Sequence, residues 1–303
     1  MTEKKKTKKA IATKSGYVAI IGKPNVGKST LLNYLIGTKI AGVSNKPQTT
    51  RGVVRGILTT EQGQIMLLDT PGMYQARDLL GSWMVSEIEK TIKDADLIYW
   101  MVVPEAMTPM EKKILELLKK TDVPVFLLVN QVDKYAKPHI LPVLSEYQEQ
   151  YLFKEFIPIS AKMGDQIDVL LDLTFQHLPE GPMLFPEDQI SDQNERDIVS
   201  EIIREKLYHF TKDEIPYSTA VMIDEFKDRE DGIAQIQATI VVEKDSQKAI
   251  VIGKAGEMAK KIGQTAREDM EKLLGRKVFL KLWVKTYPDW KSNKRVLRDL
   301  GYQ

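Results

Sequence analysis

Gly22-Lys23-Pro24-Asn25-Val26-Gly27-Lys28-Ser29-Thr30 has the residue types and spacing of a phosphate cradle. The glycines let consecutive backbone N–H groups turn toward phosphate oxygens, and a helix starting there adds its positive dipole end. Lys28 has the length to reach terminal phosphates, and a serine hydroxyl at Ser29 suits a magnesium ion. The flanks agree with this chemistry. Tyr17 to Ile21 reads as a buried strand, and Leu31, Leu32, Leu35 and Ile36 recur at helical spacing. Strand, glycine-rich loop and helix are the context in which this pattern binds a nucleotide.

Further residues follow in the order such a site requires. Lys46-Pro47-Gln48-Thr49-Thr50-Arg51 lies in a long loop, where Thr50, or failing that Thr49, suits the magnesium shell and the terminal phosphate. Asp69-Thr70-Pro71-Gly72 closes an apolar strand, so that the Asp69 carboxylate can hold magnesium and the Gly72 N–H can bond a γ-phosphate. Met73 comes next, where a glutamine would orient an attacking water; a thioether cannot do so, which predicts slow intrinsic hydrolysis.

Asn130-Gln131-Val132-Asp133 follows another buried run, Phe126 to Val129. A carboxylate there accepts two hydrogen bonds from the N1–H and N2–H₂ edge of guanine, and adenine would leave it unpaired. That mismatch costs several kcal/mol or so, enough to choose GTP. Ser160-Ala161-Lys162 follows the last strand and can offer a backbone N–H to guanine O6, with Lys162 along the base.

The elements that must position these groups alternate. Expected strands are Tyr17 to Ile21, Val53 to Leu58, Gln64 to Leu68, Leu97 to Val103, Pro124 to Val129 and Phe156 to Ile159. Expected helices are Ser29 to Ile36, Leu80 to Ile92, Pro109 to Lys119, His139 to Gln150 and Ile167 to His177. This alternation predicts a doubly wound, mostly parallel α/β sheet with ligands beyond the carboxyl ends of its strands. Every motif above falls at such an end.

Composition sets outer limits. The chain has 303 residues, 43% hydrophobic and 28% charged, ordinary for a globular protein of about two domains. It has no cysteine, which excludes disulfides and thiolate metal sites and fits a reducing compartment. Its apolar runs are too short to span a bilayer, and the basic start has no apolar segment behind it, so a secretory signal is not expected. A cytoplasmic location is the expectation.

The formal net charge of +2 hides an uneven distribution: residues 1–14 carry +5, residues 15–243 carry −11 and residues 244–303 carry +8. A basic last quarter on an acidic body points to an anionic polymer or surface as partner. The lysine-rich residues 1–14 are expected to be disordered, either as a solubilising tail or as a nonspecific contact for RNA or anionic lipid.

Residues 15–178 form the expected nucleotide domain, and 179–193, rich in proline, the linker. Residues 194–303 are expected to form a smaller α+β domain. Its predicted elements are a helix (Asn194 to Phe210), two strands (Tyr217 to Phe226 and Ala234 to Val242), a short helix (Ser246 to Ile252) and a long one (Glu257 to Leu274), then a strand (Lys277 to Lys285) and a basic helical tail (Trp290 to Leu300). The helices flank Gly253-Lys254-Ala255-Gly256. Helix, Gly-x-x-Gly, helix is the core of the KH module, whose loop clamps a short stretch of RNA backbone. A plain helix–turn–helix hinge is the alternative, set against the local basic charge. Lys254 is the candidate phosphate partner, with Lys260, Lys261, Arg267, Lys291, Lys294, Arg295 and Arg298 extending the basic RNA-binding surface. Trp83, Trp100, Trp283 and Trp290 are expected to be packing residues, and His139, His177 and His209 have no ligand cluster around them.

Taken in order, these motifs resemble the translation-factor-related small GTPases, and the whole chain after the lysine tail resembles the ribosome-assembly members that carry a C-terminal KH domain. Pro47-Gln48-Thr49-Thr50-Arg51, Ser200 to Lys206, Leu282-Trp283-Val284-Lys285 and Leu297 to Tyr302 add to the likeness. The resemblance implies a GTP- and GDP-binding enzyme with Ser29, Thr50 and Asp69 around Mg2+ and Lys28, Thr50 and Gly72 in catalysis. It implies binding near the 3′ end of small-subunit ribosomal RNA, a role in maturing that subunit, a monomer, and loose membrane association. Gln131 departs from the lysine usual there, which removes a wall over the base. Asn25 is typical of relatives that use K+ as a fixed cation. A scaffold that binds GTP but scarcely hydrolyses it without a ribosomal partner is the alternative to an autonomous enzyme; an RNA-modification GTPase lacks any visible acid–base constellation.

Overall fold

A sheet buried on both faces needs strands that are apolar throughout, and the first half of the chain supplies them. In the computed structural model, which describes residues 13–302, the strands are β1 (Lys14–Gly22), β2 (Val54–Thr60), β3 (Gly63–Asp69), β4 (Leu97–Val102), β5 (Val125–Val129) and β6 (Glu155–Pro158). Every residue of β3, β4 and β5 is buried. The sheet order is β2-β3-β1-β4-β5-β6, parallel except for β2, which runs antiparallel to β3. Helices α1 (Lys28–Ile36), α2 (Leu79–Asp94), α3 (Pro109–Leu118), α4 (Ile140–Gln148) and α5 (Ile167–His177) cover it. One hydrophobic cluster lies on each side: Val18, Ile20, Leu31 and Leu67 in the first, Ala19, Ile21, Ile88 and Leu127 in the second. Local signals start the helices. Asp78 Oδ1 accepts from the Gly81 N–H at 2.7 Å to cap α2, and Thr108 and Glu111 form a reciprocal capping box on α3 ahead of Pro109.

The second sheet contains β7 (Ala220–Asp228), β8 (Ala234–Val242) and β9 (Val278–Thr286), in that order, with β7 antiparallel and β9 parallel to β8. It packs against α6 (Glu195–Phe210), α8 (Asp245–Ile252) and α9 (Glu257–Leu274), and a one-turn helix α7 (Ile215–Ser218) precedes β7. Val199, Ile203, Ile236, Ile240, Val251 and Ile262 meet in this core. The short C-terminal helix α10 (Lys294–Asp299) is capped by Asn293.

The structure departs from expectation in three places. Tyr217 lies in α7, because Ile215-Pro216-Tyr217 turns once before the strand can begin. The proline-rich segment has no regular structure, yet it is strapped to the first sheet. Gln64 Oε1 accepts from the Leu184 and Phe185 N–H groups, and the Ile57 N–H donates to Ile190 O. Trp283 is 48% exposed, not packed, whereas Trp290 is fully buried with its indole N–H donating to Ser218 O at 3.0 Å. Residues 1–12, which hold most of the lysine tail, lie outside the described residues.

Candidate nucleotide site and RNA-binding loop

The loop from Gly22 to Gly27 leaves the end of β1 and turns into α1 through Gly27, whose φ of 104° favours glycine. A Cβ there would fall 2.3 Å from Asn130 Nδ2, so the loop can close on the neighbouring strand end only without a side chain. Val26 is buried beneath the loop, and Asn25, also left-handed at φ 66°, donates from Nδ2 to Asn45 O. The Lys28 ammonium donates to Gly22 O at 3.3 Å and Lys23 O at 3.0 Å, which aims it across the loop mouth. Pro24, Thr30, Gly72 and Thr49 also line this cleft. Lys23 contributes only backbone, since its side chain pairs with Glu105 and Glu111.

One corner gathers the metal candidates. Ser29 Oγ donates to Asp69 Oδ2 at 2.6 Å and shares a hydrogen bond of 2.9 Å with Thr50 Oγ1. Thr49 faces Ser44 and Lys46 O instead, so the geometry distinguishes the two threonines. Asp69 is fully buried and its Oδ1 has no hydrogen-bond partner. Two hydroxyls and a buried carboxylate with a spare oxygen are a hard-oxygen donor set, which fits Mg2+.

Burial pushes the Asp69 carboxyl up to about 6 against the opposing pull of Lys28, Ser29 and Thr50. Burial likewise pushes Lys28 down to about 8 despite Asp69. Each charge is held against its preference. The relieving groups are a cation beside Asp69 and an anion beside Lys28, which together describe a magnesium-bound polyphosphate.

The next segment explains its own composition. Thr70 Oγ1 donates to Ile20 O and positions the turn, Pro71 and Gly72 are buried beside it, and Gly72 approaches Pro24 so closely that a Cβ would lie 2.8 Å from its nitrogen. Met73 is 5% exposed and packs into the core with Ile21 and Ile88, pointing away from the cleft.

At the base end, Asn130 is a brace. Its Nδ2 donates to Val26 O at 2.7 Å and its Oδ1 accepts from the Ala161 N–H at 2.9 Å, joining the phosphate loop to the Ser160–Lys162 turn. One Nδ2 hydrogen remains for a purine N7. The exposed Asp133 is steadied by Ser160 Oγ at 2.7 Å. Val132 is half-buried against the second core cluster, and Lys162 is exposed at the rim. Gln131 donates from Nε2 to Asn25 O and accepts from Lys134 Nζ at 3.1 Å, so a lysine close in sequence returns a cation to that wall.

The residues Gly253 to Gly256 lie on the surface between α8 and α9, with Lys254, Ala255, Lys260 and Lys261 exposed. Gly253 has φ 74°, and a Cβ would stand 2.7 Å from that of Met258; Gly256 has φ 81° and open space around it. Lys261 Nζ lies 4.4 Å from the Phe210 ring centroid. The loop and the nucleotide cleft are joined by residues whose roles the sequence does not announce. Arg51, next to Thr50, is 1% exposed and donates to Thr219 O at 2.7 Å and Pro216 O at 3.3 Å, with Trp290 stacked 5.5 Å away. The Lys46 ammonium bonds Tyr208 O and Thr211 O, and Lys39 pairs with Glu205 and Asp269. The loop bearing Thr50 therefore touches the magnesium corner on one side and the second domain on the other.

Comparison with known proteins agrees with this architecture. A family model described as 50S ribosome-binding GTPase matches residues 17–131, and one described as KH domain matches 214–291. The protein is a P-loop GTPase carrying a C-terminal KH domain. It is similar to GTPase Era of Geobacter metallireducens, 48% identical over 291 residues (95% of this chain and 98% of the relative), and to GTPase Era of Ruminiclostridium cellulolyticum, 47% identical over 96% of this chain and 98% of the relative. The fold is that of an Aquifex aeolicus Era variant bound to GDP and aluminium fluoride, with TM-score 0.92, 40% identity and coverage of 96% of this chain and 99% of that one. It is equally that of an Era in complex with MgGDPNP and nucleotides 1506–1542 of 16S ribosomal RNA, with TM-score 0.92, 41% identity and the same coverage. The chain belongs to the Era family of GTPases.

Proposed function

We propose that this GTPase uses its nucleotide cycle to control how the KH domain holds the 3′ end of small-subunit ribosomal RNA, and so assists maturation of that subunit. The observation that carries the reading is the adjacency of Thr50 and Arg51: one hydroxyl faces Ser29 and Asp69, and the next side chain is buried against the KH domain. A loop that answers to the nucleotide's terminal phosphate is thereby bonded to the RNA-binding half. The 16S fragment held by the similar Era protein supports the choice of RNA, although the description of the matching GTPase family names the other subunit.

In this reading Gly22, Gly27 and the neighbouring backbone hold the phosphates, Lys28 pairs with their charge, and Ser29, Thr50 and Asp69 would hold Mg2+. When bound, the metal supplies neutralisation of charge on the phosphate oxygens. Asp133 reads guanine, Asn130 keeps the phosphate loop in register with Ser160 to Lys162, and the Gly72 N–H addresses the γ-phosphate. Met73 turns into the core, so this chain offers no side chain there to orient water, and intrinsic hydrolysis is slow. That same observation favours a second reading, in which hydrolysis is negligible until a ribosomal partner completes the site. Phosphate release at multiple turnover, with and without small subunits, separates the two.

RNA crosslinking with sequencing, done with a GTP analogue and with GDP, tests the main reading. Enrichment of the 3′ end in one nucleotide state supports it, and identical profiles in both states overturn nucleotide control. Asn25 makes K+ a further candidate cation; equal single-turnover rates in potassium and sodium buffers would end that idea. A cytoplasmic location follows the reading of the composition, and a monomeric state and peripheral membrane contact follow the family likeness. Among the described residues no helix is long and apolar enough to cross a membrane.

A further inference from the structure

The helices α6, α8 and α9 cover one face of the KH sheet, where Ile236, Ile240, Leu280 and Val284 point inward. The opposite face is lidded at one end only, where Trp290 and Leu297 pack on Ala220 and Val241. Along the rest, β9 presents Phe279, Lys281, Trp283 and Lys285 in alternation, all exposed. Phe279 is 50% and Trp283 48% exposed. Alternate residues of a strand share a face, which puts the two rings about 13 Å apart with Lys281 between them. Lys281 Nζ lies 4.6 Å from the Trp283 ring centroid. The register sets Gln235, Gln237 and Thr239 of β8 directly beside Phe279, Lys281 and Trp283. Two carboxylates lie by this stripe: Glu225 is occupied by Lys227, Gln235 and Gln237, leaving the amide oxygens of both glutamines as acceptors, and the exposed Asp224 accepts from Thr239 at 2.7 Å.

Large half-exposed rings on an otherwise water-facing strand do nothing for the fold, and such patches mark interaction surfaces. Rings interleaved with lysines are the equipment of a single-stranded nucleic-acid platform, in which bases stack and ammonium groups pair with phosphates. We propose that this stripe is a second RNA-contacting surface, where Phe279 and Trp283 stack unpaired bases and Lys281 and Lys285 hold the backbone. The glutamine floor favours RNA over a lipid surface, because its free amide oxygens would be left unpaired against acyl chains and can meet base edges, whereas Thr239 is fully buried and donates to Asp224. The Gly253–Gly256 loop belongs to the helical layer on the other face, so the two contacts are separate and together give the basic domain a longer RNA footprint. The inference rests on the RNA-binding reading of this domain.

The experiment uses the full chain and RNAs from the 3′ end of small-subunit ribosomal RNA. Overlapping oligonucleotides of about 6 nucleotides can fill only the KH clamp, which takes about four, whereas a fragment of about 37 can reach both surfaces. Trp283→Ala and Phe279→Ala should each weaken the long RNA by about 5- to 150-fold, the usual range for one stacked base, and leave the short ones unchanged. Lys281→Gln with Lys285→Gln should lower the slope of log affinity against log salt by about 1.4 for the long RNA. Long RNA should quench the fluorescence of the exposed Trp283, and Trp283→Phe should abolish that quenching. Unchanged long-RNA affinity in both alanine variants overturns the proposal. So does loss of binding to phosphatidylglycerol vesicles in those variants with RNA affinity intact. Failure of the unaltered protein to bind any of the RNAs overturns the underlying reading instead.

Discussion

The nucleotide cleft and the RNA-binding loop are built on opposite economies of structure. The cleft draws Ser29, Thr50, Asp69 and Asn130 from distant parts of the chain and encloses nearly all of them. The Gly253–Gly256 loop uses consecutive residues and leaves Lys254 and Ala255 in solvent between half-buried glycines. Buried polar atoms are costly unless every partner is in place, so the cleft admits few alternatives of residue type. A surface loop must satisfy only its own backbone geometry. Substitution in the cleft should therefore act through lost polar contacts, and in the Gly253–Gly256 loop through backbone strain and charge.

The largest effect is expected at Asp69. Asp69→Asn keeps the shape and the hydrogen bond from Ser29 but removes the charge that Mg2+ requires. GTP hydrolysis should fall about 10³-fold, the scale of losing a major electrostatic contribution, while circular dichroism stays native. A loss below tenfold would show that the corner formed by Ser29, Thr50 and Asp69 is structural.

Next in size is the effect expected at Asp133, the proposed base reader. Asp133→Asn places a donor where guanine also donates, and GTP affinity should fall about 10²- to 10⁴-fold with no loss of fold. Fluorescent-GDP titration measures it, with ATP as control. Unchanged GTP binding would move base recognition to other residues. The side chain is exposed, which protects this test from an unfolding artefact.

Within the KH loop the two glycines should separate. Gly256→Asp has room, and its cost is the left-handed backbone, about 1–2 kcal/mol, together with a negative charge where phosphate is expected. Gly253→Asp is strained more severely, because φ 74° with ψ 173° is a conformation essentially reserved for glycine, and it also collides with Met258, so it should lower the thermal midpoint further. Both should abolish RNA binding and spare GTP hydrolysis by the isolated protein. Equal RNA affinity in Gly256→Asp would reduce the loop to the plain hinge considered at the outset.

The same contrast explains what could be read in advance. The phosphate loop, Asp69, Asp133 and the alternation of strands and helices were legible because backbone geometry and buried apolar runs leave periodic marks in sequence. Arg51 was not, since an arginine in a polar loop reads as surface, and only the fold reveals Thr219 O and Pro216 O waiting for it. Trp290 and Trp283 look alike in sequence, yet one is fully buried in the cluster that seats the C-terminal segment and the other lies open on β9. Their difference is tertiary. Asn130 was read as a base contact, and its bonds to Val26 and Ala161 give it a bracing role that no local pattern encodes.

The smallest effect tests the seam between the two regions. Lys39 and Lys206 both reach Asp269, and Lys39 and Lys206 also pair with Glu205. Burial works against the charge on Asp269, but the hydrogen bonds and charges of Lys206 and Lys39 outweigh it and hold the carboxyl below its usual range. A depressed carboxyl stabilises the folded state fully above its unfolded pKa of about 4, and that contribution disappears as pH falls through the lower folded value. Burial also opposes the charge on Lys39, and its bonds to Glu205 and Asp269 overcome that and raise its pKa, so its contribution is present at neutral pH and is lost only in strong alkali. Asp269→Asn should therefore cost about 0.2–1 kcal/mol at pH 7, because a partly exposed pair is screened by solvent. The difference in thermal midpoint between the variant and the unaltered protein should narrow below pH 4. A difference that persists undiminished at pH 3 would mean that Asp269 supports the seam by packing, and that charge does not join the nucleotide half to the KH half at this point.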